Sequence, residues 1–96
     1  MRDAVELTQR LILSSEIPRH HPAKEDIERC LSATLVGLLG EWRITVVCSC
    51  TGDWWVLGVE GSRFKWTTVL ADPAEQSAAV MSARLLDALR DAKVLS

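Results

Sequence analysis

From residue 41 to residue 70 apolar side chains return at every second position, and no other feature of this chain restricts its fold so tightly. Trp42, Ile44, Val46, Cys48 and Cys50 point one way, and Arg43, Thr45, Val47, Ser49 and Thr51 point the other. A period of two marks a strand with one buried face, and the β-branched content agrees. Gly52-Asp53 and Glu60-Gly61 each suit a two-residue reversal. The first reversal pairs Cys50 with Trp55, Cys48 with Leu57 and Val46 with Val59. The second pairs Val59 with Ser62, Leu57 with Phe64 and Trp55 with Trp66. Both registers put Trp42, Ile44, Val46, Cys48, Cys50, Trp55, Leu57, Val59, Phe64, Trp66 and Leu70 on one side. A one-residue slip in either would scatter them.

Three segments carry the helical period instead. Residues 2–14 read as a first helix, with Ala4, Leu7 and Leu11 on one face and Val5 and Ile12 widening it. Residues 14–22 (SSEIPRHHP) form a proline-broken linker. Residues 23–39 read as the clearest helix, with Ile27, Cys30, Leu31, Thr34, Leu35 and Leu38 in one stripe and Gly40 as its stop. Asp72, Pro73 and Glu75 supply the cap, first position and capping-box partner of a last helix over 73–93. Its stripe is Ala74, Ala78, Met81, Leu85, Ala88, Leu89 and Ala92. With strands at about 41–51, 54–59 and 62–70, the expectation is one α+β domain over residues 1–96. Its predicted order is α-α-β-β-β-α, a three-stranded antiparallel β-meander covered on one face by helices.

Composition narrows the function classes. With 48% hydrophobic and 25% charged residues the chain is ordinary globular material, not disordered. The formal charge of -2 removes the usual electrostatic reason to expect nucleic acid. Three cysteines, Cys30, Cys48 and Cys50, fit reduced thiols and a cytoplasmic location. The first ten residues carry Asp3, Glu6 and Arg10, unlike a signal peptide, and no run is long enough for a membrane span.

Candidate chemistry is sparse. Cys48 and Cys50 share a strand face, where thiols point in parallel and converge poorly on zinc; core packing explains them. His20 and His21 sit on the linker, which reads as an exposed loop. The stretches Gly37–Gly40 and Gly58–Ser62 lack the spacing of a phosphate loop. Glu25, Asp26 and Glu28 are explained by the positive end of their helix. No catalytic set, metal site or cofactor is expected.

Trp54 stands out, because the register turns it away from the face that takes Trp42, Trp55 and Trp66. Around it the same face gathers Val47, Val56, Arg43, Arg63 and Lys65, a mixture suited to recognition. The plainer reading is a solvated sheet face with one indole capping a turn, or a face hidden by the first helix. The expected function is a small non-enzymatic protein-binding or regulatory module: an adaptor, inhibitor or assembly subunit. It would act on a protein partner or by self-association as a homodimer, away from membranes. A second reading is nucleic-acid binding, since the α-β-β-β-α order of residues 23–94 resembles that of double-stranded-RNA-binding domains. That resemblance implies phosphate-gripping lysines at the start of the last helix, where this chain has Asp72 and Glu75. A third reading is a small thiol- or histidine-dependent enzyme built on His20, His21 and a cysteine.

Overall fold

The computed structural model describes residues 9–49, 53–61 and 63–94. Strand β1 (Gln9–Ser15) leads to helix α1 (Lys24–Thr34), then to strands β2 (Gly40–Cys48), β3 (Trp55–Gly61) and β4 (Phe64–Leu70). A 3-10 turn (Pro73–Glu75) and helix α2 (Ala78–Asp91) follow. The sheet order is β1-β2-β3-β4, with β1 parallel to β2 and the other two pairs antiparallel.

The expected three-stranded meander is therefore incorrect. The sheet has four strands and is mixed, and the chain opens β-α rather than α-α. The error lies in residues 9–15. Leu11, Ile12 and Leu13 are consecutive, a run that satisfies a helical stripe and a strand equally well. As a strand, Leu11 and Leu13 both pack against the core, beside Trp42 and Ile44 of β2. Pairing also gives the backbone of β2 a partner on its second side, which a helix could not do. Residues 9–15 thus extend the sheet and cover neither face; the part of the expected first helix before Gln9 lies outside the described residues.

Both hairpin registers also shift, by an even number of residues. Cys48 pairs with Trp55 and Val46 with Leu57, two positions from expectation. Trp55 pairs with Leu70 and Val59 with Trp66, four positions from expectation. Because side chains alternate with a period of two, even shifts leave every residue on its expected face. The first connection is longer than two residues, with Ser49 N–H donating to Trp54 O at 2.9 Å. The second reversal follows Gly61, which pairs with Phe64 as a strand residue. Gly61 is needed for its missing side chain: a Cβ there would lie 2.7–2.9 Å from the Trp42 ring.

The linker is less loose than its prolines suggest. Ile17 is buried in the core. His21 Nδ1 accepts from Ala23 N–H at 3.1 Å, and its ring meets Trp55 edge-on at 5.2 Å. Helix α1 stops at Thr34, five residues before its expected end, and the chain reverses through Gly37 and Gly40 at φ of 89° and 94°. Those left-handed values suit glycine alone.

Both helices cover one face. Ile27 and Leu31 from α1, Leu35 just past its end, and Met81, Leu85 and Leu89 from α2 meet Ile44, Val46, Leu57 and Leu70 in one core. The expected last helix divides in two. Asp72 and Glu75 form their capping box on the 3-10 turn, and Ser77 Oγ accepts from Val80 N–H to start α2. Between the two, Gln76 Nε2 donates to Leu70 O at 3.0 Å and to Asp53 O at 3.2 Å.

Candidate functional site

The side of the sheet away from the helices is ordered in three rows across the strands. The first row is Ile12, Arg43, Glu60 and Lys65, carried by β1 to β4 in turn. Next come Ser14, Thr45, Gly58 and Thr67. The third row is Val47, Val56 and Val69. Just beyond it, Ser49 bonds the backbone of Trp54, a residue 44% exposed. One end of this face is thus charged, the middle small and hydroxylic, and the far end apolar.

The six residues singled out from the sequence divide between these regions. Trp54, Val47 and Val56 fall together at the apolar end. Arg43 and Lys65 lie in the charged row at the other end, with Glu60 between them. Arg63 lies outside the strands, on the β3–β4 reversal. There it lines a hollow of about 340 Å³ with Leu38, Leu39, Trp42, Phe64 and Val94. The indole and the cations therefore do not form one cluster. The even register shifts preserved the face and moved the residues along it.

Val69 was missed. It is 56% exposed and completes the valine row from the edge strand. The parity of Leu70 already put Val69 on this face; the expected register placed it beyond the end of β3. Ile12 was missed because its segment was read as helix.

The charged end is balanced in sign. Glu41 Oε1 lies 4.0 Å from Arg43 Nη2, and its Oε2 lies 3.8 Å from Arg10 Nη1. These groups are exposed, so the pairs contribute little to stability. A hollow of about 170 Å³ lies over Gly58, rimmed by Arg43, Thr45, Glu60, Lys65 and Thr67. It is shallow and shared between acid and base, and it has the character of a solvated strand surface.

Three contacts fix the apolar end, the first being the Ser49 N–H bond to Trp54 O at 2.9 Å. Trp54 N–H donates to Ser49 Oγ at 3.3 Å. The preceding carbonyl, Asp53 O, is held by Gln76. Trp54 is therefore carried on backbone tied to β2 and, through Gln76, to the start of α2.

Cys48 pairs with Trp55, the ring that His21 packs against. Burial, reinforced by the negative charge of Glu16, pushes the Cys48 thiol up, away from thiolate. Cys50 lies outside the described residues. Among the described residues no three His, Cys, Asp or Glu side chains are grouped to hold a metal ion, and no helix is long and apolar enough to cross a membrane. No protein-family model, curated protein or solved structure matches the chain.

Proposed function

We propose that this chain is a protein-binding module whose contact surface is the apolar end of the open sheet face. The observation that carries the reading is the row Val47, Val56 and Val69 running up to Trp54, with Val69 56% and Trp54 44% exposed. An exposed indole beside a flat aliphatic row offers a large apolar area at low cost in side-chain freedom, as at binding hot spots. Gln76 and Ser49 hold the backbone beneath it, so little ordering remains to be done on contact. The charged row at the far end suits orientation of the partner more than affinity.

The test is positional. A photo-reactive side chain at position 69 traps a discrete protein partner in host extract, and one at position 65, in the charged row, traps it weakly. Trp54→Ser combined with Val69→Glu abolishes trapping from position 56 while the melting temperature holds. Equal trapping by the double variant, or no discrete adduct from position 69, removes the proposal.

A further inference from the structure

The two edges of the sheet are treated differently, and the difference points to a second copy of this chain. In β4 the carbonyl of Val69 is reached by Arg84 rather than by β3, so the backbone groups of the odd residues Lys65, Thr67 and Val69 face outward. That edge is guarded. Arg84 of α2 donates to Val69 O at 3.4 Å and to Thr68 Oγ1 at 3.5 Å, and it is held by an ion pair with Glu75. Covering an edge with a helix-borne cation, beside an exposed Lys65, is a familiar defence against strand addition.

Among the described residues no helix-borne cation reaches the edge at β1, whose one charged residue is Arg10. Glu16 N–H donates to Val46 O at 2.9 Å, which fixes the even residues of β1 as those whose backbone faces β2. The N–H and C=O groups of Leu11 and Leu13 therefore point away from the sheet. No proline or acidic residue interrupts Gln9–Ser15. The core reaches this edge unfinished: Leu11 and Leu13 are half-buried, while their neighbours Trp42 and Ile44 are 5% and 0% exposed.

We propose that β1 pairs antiparallel with β1 of a second copy, about a two-fold axis at Ile12. This joins two four-stranded sheets into one continuous sheet. The register follows from the strand itself. Centring on Ile12 pairs all of Gln9–Ser15, and any shift by two leaves two residues of each strand without partners. Leu11 then exchanges both backbone bonds with the second copy's Leu13, closing the unfinished end of the core. Ile12 meets its own copy on the open face, and Arg10 faces Ser14 rather than another arginine. Both helix layers fall on the same side, and the two open faces become one surface. The pairing rests on the β1 backbone and is independent of what the open face binds.

The test uses the full chain and light scattering over a concentration series. Wild type shows twice the chain mass at the upper end. Ile12→Lys and Ile12→Glu each put like charges face to face on the axis and weaken self-association roughly tenfold or more. An equimolar mixture of the two restores the dimer, as a heterodimer. In wild type the Leu11 and Leu13 amides gain exchange protection as concentration rises, a readout that needs no variant. A single-chain mass at every concentration overturns the proposal. So does a dimer that survives in either variant alone, or a mixture that stays monomeric while wild type dimerises. Concentration-independent exchange at Leu11 and Leu13 overturns it as well, because the contact would then lie elsewhere.

Discussion

Trp54 and Trp55 are neighbours in the chain and opposites in the fold. Trp55 is 3% exposed, paired with Cys48 and Leu70 and met edge-on by His21. Trp54 is 44% exposed, and its backbone is bonded to Ser49. Identical side chains one residue apart thus sample the two faces of one sheet. The covered face is where bulk holds the domain together. On the open face the same bulk leaves apolar area in water, which is informative about partners and nearly irrelevant to folding.

The sharpest way to break this contrast is to remove each indole in turn. Trp55→Ala should destabilise the domain by about 3–5 kcal/mol, the range for deleting a large buried aromatic. Trp54→Ala should cost about 1 kcal/mol or less, because the residue is already 44% exposed and its backbone bonds survive. Urea denaturation of both variants checks the pair. Similar losses would mean that Trp54 packs as core and that the open face is structural.

Two glycines of β3 repeat the comparison at smaller scale. Gly61 lies on the covered face, where an added Cβ would come within 2.9 Å of the Trp42 ring. That ring cannot easily move, since it lies 5.8 Å from Phe64 between ring centroids and its Nε1 donates to Leu39 O at 3.0 Å. Gly61→Ala should therefore cost about 1–3 kcal/mol through overpacking. Gly58 lies on the open face, and the nearest atom to an added Cβ is Thr67 Oγ1 at 3.9 Å, an ordinary contact. Gly58→Ala should stabilise the strand by about 0.5–1 kcal/mol. Opposite signs in thermal melts sharpen the distinction; equal losses would abolish it.

The same contrast explains what could be read from the sequence. Which face a residue takes depends only on parity, so Trp42, Ile44, Val46, Trp55, Leu57 and Leu70 were placed on the covered side despite two misjudged registers. Position along a strand depends on where the chain reverses, and there Gly61 misled. A glycine that makes room for Trp42 and a glycine that makes a turn look alike in one dimension. The candidate site inherited that error: its face was legible, its grouping of Trp54 with Arg43, Arg63 and Lys65 was not. β1 was hidden for a different reason. Leu11-Ile12-Leu13 has no period of its own, and only the need of β2 for a second partner makes it a strand.

The smallest expected effect concerns how the cover is fastened to the sheet. Glu75 accepts from Asp72 N–H at 3.0 Å and pairs with Arg84, which in turn reaches the β4 backbone. The Asp72 amide first, then the Arg84 guanidinium, holds the Glu75 carboxyl below its ordinary value of 4.5. A carboxyl whose value is depressed by folding binds its proton more readily in the unfolded chain. Its contribution is therefore complete above the ordinary carboxylate range and is lost as pH falls through the depressed value. Melting temperature should decline on acidification below pH 4.5, and Glu75→Gln should flatten part of that decline by removing the titrating group. Glu28, lowered chiefly by its hydrogen bond from Lys24 at 2.6 Å, titrates in the same sense and remains in the variant. An unchanged acid profile in Glu75→Gln would mean that the Arg84 link does not tie α2 to β4. The edge guarded in this structure would then be as open as the one at β1.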